Sequence, residues 1–137
     1  MRGAVHHIDL TVRDPDASRA FYTLVLSFLG YRLTGEHDRG YDWELFDARG
    51  RPVSSLGIMR ATGDGRSRRH DRYSPGLHHL AWRAGSREDV GRLYRLLVDF
   101  GAEILDPPAD YPEYGAGYHA VFFADPDGLK LEFVHQP

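Results

Sequence analysis

The chain has 137 residues, 42% of them hydrophobic, which suits one domain with a real core and excludes fibrous, disordered and coiled-coil architectures. Its 17 Lys and Arg against 20 Asp and Glu leave a net charge of -3, without the basic surplus of a dedicated nucleic-acid binder. There is no cysteine, so disulfides, thiolate zinc sites and cysteine nucleophiles are excluded, and any metal must be held by histidine and carboxylate.

No run approaches the ~18 consecutive apolar residues of a membrane span, and His6, His7, Asp9, Arg13 and Asp14 stand where a signal peptide would carry its apolar core. The expectation is a cytoplasmic protein with no membrane or nucleic-acid partner. The chain also repeats itself. HHIDLTVRDPDASRAFYTLVLSFLGYRL, from His6, lies over HHLAWRAGSREDVGRLYRLLVDFGAEIL, from His78, at an offset of 72 residues. His7 then falls on His79 and Tyr22 on Tyr94.

In the first copy, His7 to Val12 alternates as a half-buried strand, with Ile8, Leu10 and Val12 on one face and His7, Asp9 and Thr11 on the other. Asp14 or Asp16 caps a helix whose stripe is read as Ala20, Phe21, Leu24, Val25, Phe28 and Leu29, stopped by Gly30. Strand-like runs follow at Tyr31 to Glu36, Tyr41 to Asp47 and Val53 to Met59. Arg60 to Gly76 is rich in Arg and Gly, lacks an apolar run and reads as a solvated linker. The second copy repeats the order. His79 to Ala84 alternates, Ser86 caps a helix with the stripe Val90, Leu93, Leu97 and Phe100, and Gly101 closes it. Strands are read at Ala102 to Leu105, Tyr118 to Ala124 and Leu129 to His135, with a tight turn at Asp125-Pro126-Asp127-Gly128. Tyr22 and Tyr94 read as packing residues. The reading is an α+β chain, 1-137, holding a βαβββ module at 5-59, a linker at 60-76 and a second βαβββ module at 77-135. The two modules are expected to form a curved, mostly antiparallel eight-stranded sheet with helices outside and a cavity inside.

Strand phase then selects the histidines. With Ile8, Leu10 and Val12 toward the helix, His7 points to the concave face; with Leu80 and Trp82 toward the helix, His79 turns inward and His78 is left outside. In LKLEFVH, Leu129, Leu131 and Phe133 take one face and Lys130, Glu132 and Val134 the other, so Glu132 looks into the same cavity. A carboxylate there is costly unless paired or bound to a cation. His7, His79 and Glu132 form a set of two histidines and one carboxylate that suits Fe(II), Mn(II), Zn(II) or Ni(II).

HIDLTVRD leading into AFY, the second HLAW, and FFADPDGLKLEFVH together resemble the vicinal oxygen chelate superfamily over residues 5 to 135. That group includes glyoxalase I, fosfomycin-resistance thiol transferases, methylmalonyl-CoA epimerase, extradiol dioxygenases and bleomycin-resistance binding proteins. The resemblance implies paired βαβββ modules, usually in a homodimer, with a divalent metal on His7, His79 and Glu132. It also implies a small-molecule substrate chelated through oxygen, turned over by a lyase, transferase or dioxygenase; the alternative is an antibiotic-binding resistance protein that sequesters its ligand. Glyoxalase I and the epimerases look for a fourth ligand at the position of Gly57, which has no side chain, and the dioxygenases for an acid-base tyrosine where Phe122 stands. Asp9, Thr11 and Arg83 share the phase of the ligand histidines and Lys130 that of Glu132; Arg83 or Lys130 can receive a substrate carboxylate or phosphate. The segment from Asp106 to His119 reads as a long binding loop, offering Tyr111, Tyr114, Tyr118 and His119 to a ligand.

Overall fold

Asp14 begins the first helix by accepting the Asp16 backbone N–H, and Pro15, which has no N–H to satisfy, fills the opening position. Ser86 does the same for the second helix by accepting the Asp89 N–H, and Gly101 ends it in the left-handed conformation at φ 87°. Around these two starts a computed structural model, describing residues 2–137, shows two compact units that divide between Arg68 and Arg69. Among the described residues no helix is long and apolar enough to cross a membrane.

The first unit contains β1 (His7–Val12), α1 (Pro15–Phe28), β2 (Tyr31–His37), β3 (Gly40–Phe46) and β4 (Pro52–Arg60). The second contains β5 (His79–Arg83), α2 (Arg87–Phe100), β6 (Glu103–Asp110), β7 (His119–Ala124) and β8 (Lys130–His135). The βαβββ unit therefore occurs twice. The eight strands of the described residues form a four-stranded sheet in each unit, in the orders β1-β4-β3-β2 and β5-β8-β7-β6. Each sheet is mixed. The opening strand pairs in parallel with the last strand of its own unit, and the other pairings are antiparallel.

In each unit the helix covers one face of the sheet. Tyr22, Val25, Leu26, Trp43, Leu56 and Ile58 are fully or almost fully buried in the first; Val90, Leu93, Leu97, Val121, Phe123 and Leu131 fill the second. Two expected stripes need correction. On α1 the buried face runs through Ser18, Phe21, Tyr22, Val25 and Leu26, at the three- and four-residue spacing of one helix face, which leaves Ala20 exposed. On α2, Phe100 in the last turn is 45% exposed, past the end of the contact with the sheet.

Strand β6 is longer than expected, running through Pro107 and Pro108 to Asp110. It is an edge strand, and its register shifts between Ile104 and Asp106 and again between Asp106 and Ala109. An edge with bulges is where a sheet tolerates residues that cannot donate to the ladder. The connection to β7 is correspondingly short and holds one 3-10 turn, Pro112–Tyr114. Within the Arg-rich stretch, Arg60 still belongs to β4 and Gly63–Ser67 forms a 3-10 turn. Beyond the division, Arg69 pairs with Glu103 at 3.6 Å and the His70 N–H bonds the Asp127 carbonyl at 2.8 Å.

At Gly40 a Cβ atom would stand 1.8 Å from the Ile58 carbonyl oxygen, a backbone atom that cannot swing aside. Gly40→Ala is expected to destabilise the first unit by about 2 kcal/mol or more, read as a lowered thermal midpoint. The β3–β4 turn is clamped by Asp47, which accepts the Arg49 N–H, the Arg51 N–H and the Arg51 Nε. These bonds, led by those from Arg51, hold its carboxyl below the usual carboxylate range. A depressed carboxyl stabilises the fold above its unfolded pKa and loses that contribution as pH falls through the folded value. Urea titrations from neutral to strongly acid pH should therefore show a shallower acid loss in Asp47→Asn than in the wild type.

Candidate functional site

Parallel pairing of β5 with β8 sets His79 beside Lys130 and Ala81 beside Glu132, and antiparallel pairing of β7 with β8 sets Phe122 beside Glu132. Paired residues share a face. His79, Lys130, Glu132 and Phe122 thus come to the side of the second sheet away from α2, and with His78, Tyr114 and Tyr118 they line a cavity of about 280 Å³.

Glu132 is the centre of this cavity wall. Only 2% of the residue is exposed, and both of its oxygens are engaged. Oε2 lies 3.2 Å from His79 Nε2, and Oε1 accepts a close hydrogen bond from the Tyr118 hydroxyl. The other ring nitrogen of His79, Nδ1, is 2.8 Å from Nδ1 of His78. That contact fixes the His79 ring so that Nε2 faces the carboxylate. Burial, reinforced by the bond to Glu132, pushes the Tyr118 phenol well above its ordinary value, so it stays a hydroxyl donor. Burial also lowers the His78 pKa, with His79, Lys130 and Arg72 adding to the effect.

The expectation for His78 is corrected: it lines the cavity. It precedes the first residue of β5, where the ladder that enforces alternation has not begun, and its ring is free to lie against that of His79. His119 is displaced in the opposite sense. It pairs with His135, in phase with Val121 and Phe133, and so lies on the α2 face. There its Nδ1 meets Asp110 at 2.9 Å, and Arg87 at the start of α2 meets the same carboxylate at 2.7 Å.

Of the other expected residues, Tyr114, Tyr118 and Lys130 are in the cavity lining. Tyr111 backs it, stacked on Tyr114 at 5.6 Å and edge-on to Phe122 at 5.4 Å. Arg83 lies farther along β5, in register with Val134, and is exposed.

In the first unit His7, Asp9 and Thr11 are exposed on the open face of β1, in the phase read from the sequence. His7 Nδ1 lies 3.0 Å from His6 Nδ1, repeating the contact between His78 and His79. Asp9 pairs with Gly57 as Ala81 pairs with Glu132, so Gly57 stands where the second unit has its carboxylate. Carboxylates are nevertheless present. A Cβ on Gly57 would lie 2.6 Å from Oδ1 of both Asp9 and Asp42, and Asp42 is held by His37 Nε2 at 3.0 Å. The sequence reading missed Asp42 and His37. The signal for Asp42 was its neighbour Trp43, a large apolar residue that fixes the phase of β3 once the strand is identified.

No three His, Cys, Asp or Glu side chains among the described residues converge as a complete metal set. His79 and Glu132 form a pair, and the pair fits two metal positions. Ligands bonded to one ion at ~2.0–2.2 Å and at right angles stand about 3 Å apart, close to the 3.2 Å between these two donors.

A family model described as the Glyoxalase/Bleomycin resistance protein/Dioxygenase superfamily matches residues 4–133. The uncharacterized protein YqjT of Bacillus subtilis (strain 168) is 32% identical over 130 residues, 95% of this chain and 97% of that protein. A 2-epi-5-epi-valiolone epimerase of Actinomyces sp is 29% identical over 150 residues, covering 98% of this chain and 80% of the epimerase. The crystal structure of a glyoxylase/bleomycin resistance protein/dioxygenase domain from Frankia sp. EAN1pec superposes with a TM-score of 0.73 at 26% identity, covering 100% of both chains.

Tyr118→Phe removes one of the two partners of a buried carboxylate. It is expected to lower stability by about 1–3 kcal/mol, whereas Tyr114→Phe, whose hydroxyl serves no such group, should stay within about 0.5 kcal/mol of wild type; paired urea melts read both.

Proposed function

Because the chain belongs to the Glyoxalase/Bleomycin resistance protein/Dioxygenase superfamily, we propose that it is a divalent-metal-dependent enzyme acting on a small substrate that chelates through oxygen. The observation that carries this reading is the buried Glu132 carboxylate facing His79 Nε2 at 3.2 Å in an aromatic-walled cavity. An imidazole nitrogen and a carboxylate oxygen are the donors that Fe, Mn, Zn and Ni accept. His79 and Glu132 are assigned as ligands from the second unit. His7 is the repeat-equivalent histidine of the first unit by its position in the sequence.

A bound divalent ion supplies Lewis acidity toward a chelated oxygen. The protein's own residues do the rest. His78 holds the Nδ1 side of His79, the supporting contact that orients a ligating imidazole. Tyr118 holds Glu132 by Oε1 and leaves Oε2 toward His79. Tyr114, Tyr118 and Phe122 exclude water from one side of the cavity and offer rings to a ligand. Gly57 supplies no side chain for proton transfer, so a reaction of the epimerase kind would draw its base from elsewhere. Asp9 and Asp42, over Gly57, are the nearest carboxylates to that position.

The test is metal analysis of protein purified without chelator or immobilised metal, followed by titration with manganese. Near-stoichiometric metal is expected, and His79→Ala and Glu132→Ala should each weaken binding at least ~10-fold, as should His78→Ala, which removes the contact that orients the His79 ring. A wild type that takes up no metal after reconstitution would overturn the reading and leave ligand sequestration as the function to pursue.

A further inference from the structure

Among the cavity residues, Lys130 has no part in holding Glu132. Its ammonium sits 4.5 Å from the centre of the Phe122 ring, and no carboxylate of the described residues comes within ion-pair range of it. The one acidic group in the cavity lining, Glu132, is already committed to Tyr118 and His79. The lining therefore presents an ammonium with no internal counter-charge, and Arg72 lies near enough to act electrostatically on the same histidine, His78, as Lys130 does. A half-buried cation held over an aromatic ring, without a carboxylate partner, favours an anionic ligand group, since an anion supplies what the protein leaves unmatched.

Size and donor count narrow the class. At about 280 Å³ the cavity lies at the small end of ligand sites, which run from about 300 to 1,000 Å³. A phosphate dianion is usually met by several donors, as at an Arg fork or a helix N-terminus. Here the lining itself holds one cation, the Lys130 ammonium, with Arg72 acting on His78 from outside it. A carboxylate monoanion matches that ammonium.

We propose that Lys130 selects substrates bearing a carboxylate, and that the oxygen-chelating substrates of this site are small hydroxy or keto acids. Phe122 fixes the ammonium against one wall, and Tyr114 and Tyr118 bound the space in which the rest of the acid lies. This assignment rests on the metal-enzyme reading for the chelating half of the substrate, but the ammonium–carboxylate contact does not need the metal.

The experiment compares acids with their neutral amides: glycolate and glycolamide, lactate and lactamide, mandelate and mandelamide, each titrated calorimetrically into manganese-loaded and metal-free protein. Wild type is expected to prefer the acid of at least one pair by about tenfold. Lys130→Met should reduce that preference to about twofold or less, and Lys130→Arg, which keeps the charge, should retain most of it. Acids and amides binding alike, no binding of any pair, or a preference that survives in Lys130→Met would each overturn the proposal. Manganese itself favours a carboxylate over an amide, so the metal-free comparison is the one that reads Lys130, and acids and amides binding alike to metal-free wild type overturns the proposal even if Lys130→Met fails to fold. If manganese does not bind but the metal-free protein prefers acids through Lys130, the carboxylate assignment stands and the metal reading falls.

Discussion

Everything at the candidate site follows from one buried carboxylate. Glu132 lies on a strand whose alternate residues, Leu131 and Phe133, pack under α2, and its own side chain has almost no access to water. Taking a carboxylate from water without partners carries a penalty large enough to unfold a small domain. The local structure supplies two partners, His79 from β5 and Tyr118 from the segment before β7, while β8 itself sets the direction of the side chain. The parallel pairing of β5 with β8 is what places His79 within 3.2 Å of a residue more than fifty positions away.

That arrangement also accounts for the backbone around it. Tyr118 reaches Glu132 from a segment opened by the 3-10 turn Pro112–Tyr114 and bent at two glycines, Gly115 with φ 146° and Gly117 with φ 72°. The positive φ at Gly117 is a conformation that a side chain would strain. The Pro-rich strand before it stays on the sheet edge, where bulges absorb the missing N–H groups. An unusual run of sequence is in this way spent on delivering one hydroxyl.

Much of this was legible in the sequence, for a definite reason. A period of two residues fixes the face of His7, Asp9, Thr11, His79, Lys130 and Glu132 without knowledge of which strand pairs with which. The repeat then transfers the reading from one unit to the other. Legibility ended where that period no longer governs. His78 sits outside the ladder, so alternation misassigned it; His119, read at the join of the loop and the strand and offered to a ligand, begins β7 on the α2 face. The bond from Tyr118 to Glu132 joins residues fourteen positions apart through a turn of irregular backbone, which no periodicity encodes. The α1 stripe was misread because Ser18 and Tyr22, though polar at one end, are packed in the core, while the apolar Ala20 is not.

The two units show how one scaffold distributes the same chemistry differently. Both have the paired histidines ahead of or opening the first strand, with Nδ1 atoms 3.0 Å apart in one and 2.8 Å in the other. In the second unit the carboxylate is carried by the last strand and is buried. In the first, Gly57 occupies that position, and the space above it is taken by Asp9 and Asp42 from the two strands on either side. A side chain at Gly57 would collide with both oxygens, so the glycine and the two aspartates form one local solution. The outcome differs in accessibility: the Asp9 and Asp42 side chains are 50% and 36% exposed, against 2% for Glu132. A solvated carboxylate keeps its hydration and is not forced into a fixed partnership, whereas a buried one must be held in a single orientation. The structural constraint therefore falls on the second unit, which is where the cavity, its aromatic wall and its unmatched ammonium are found.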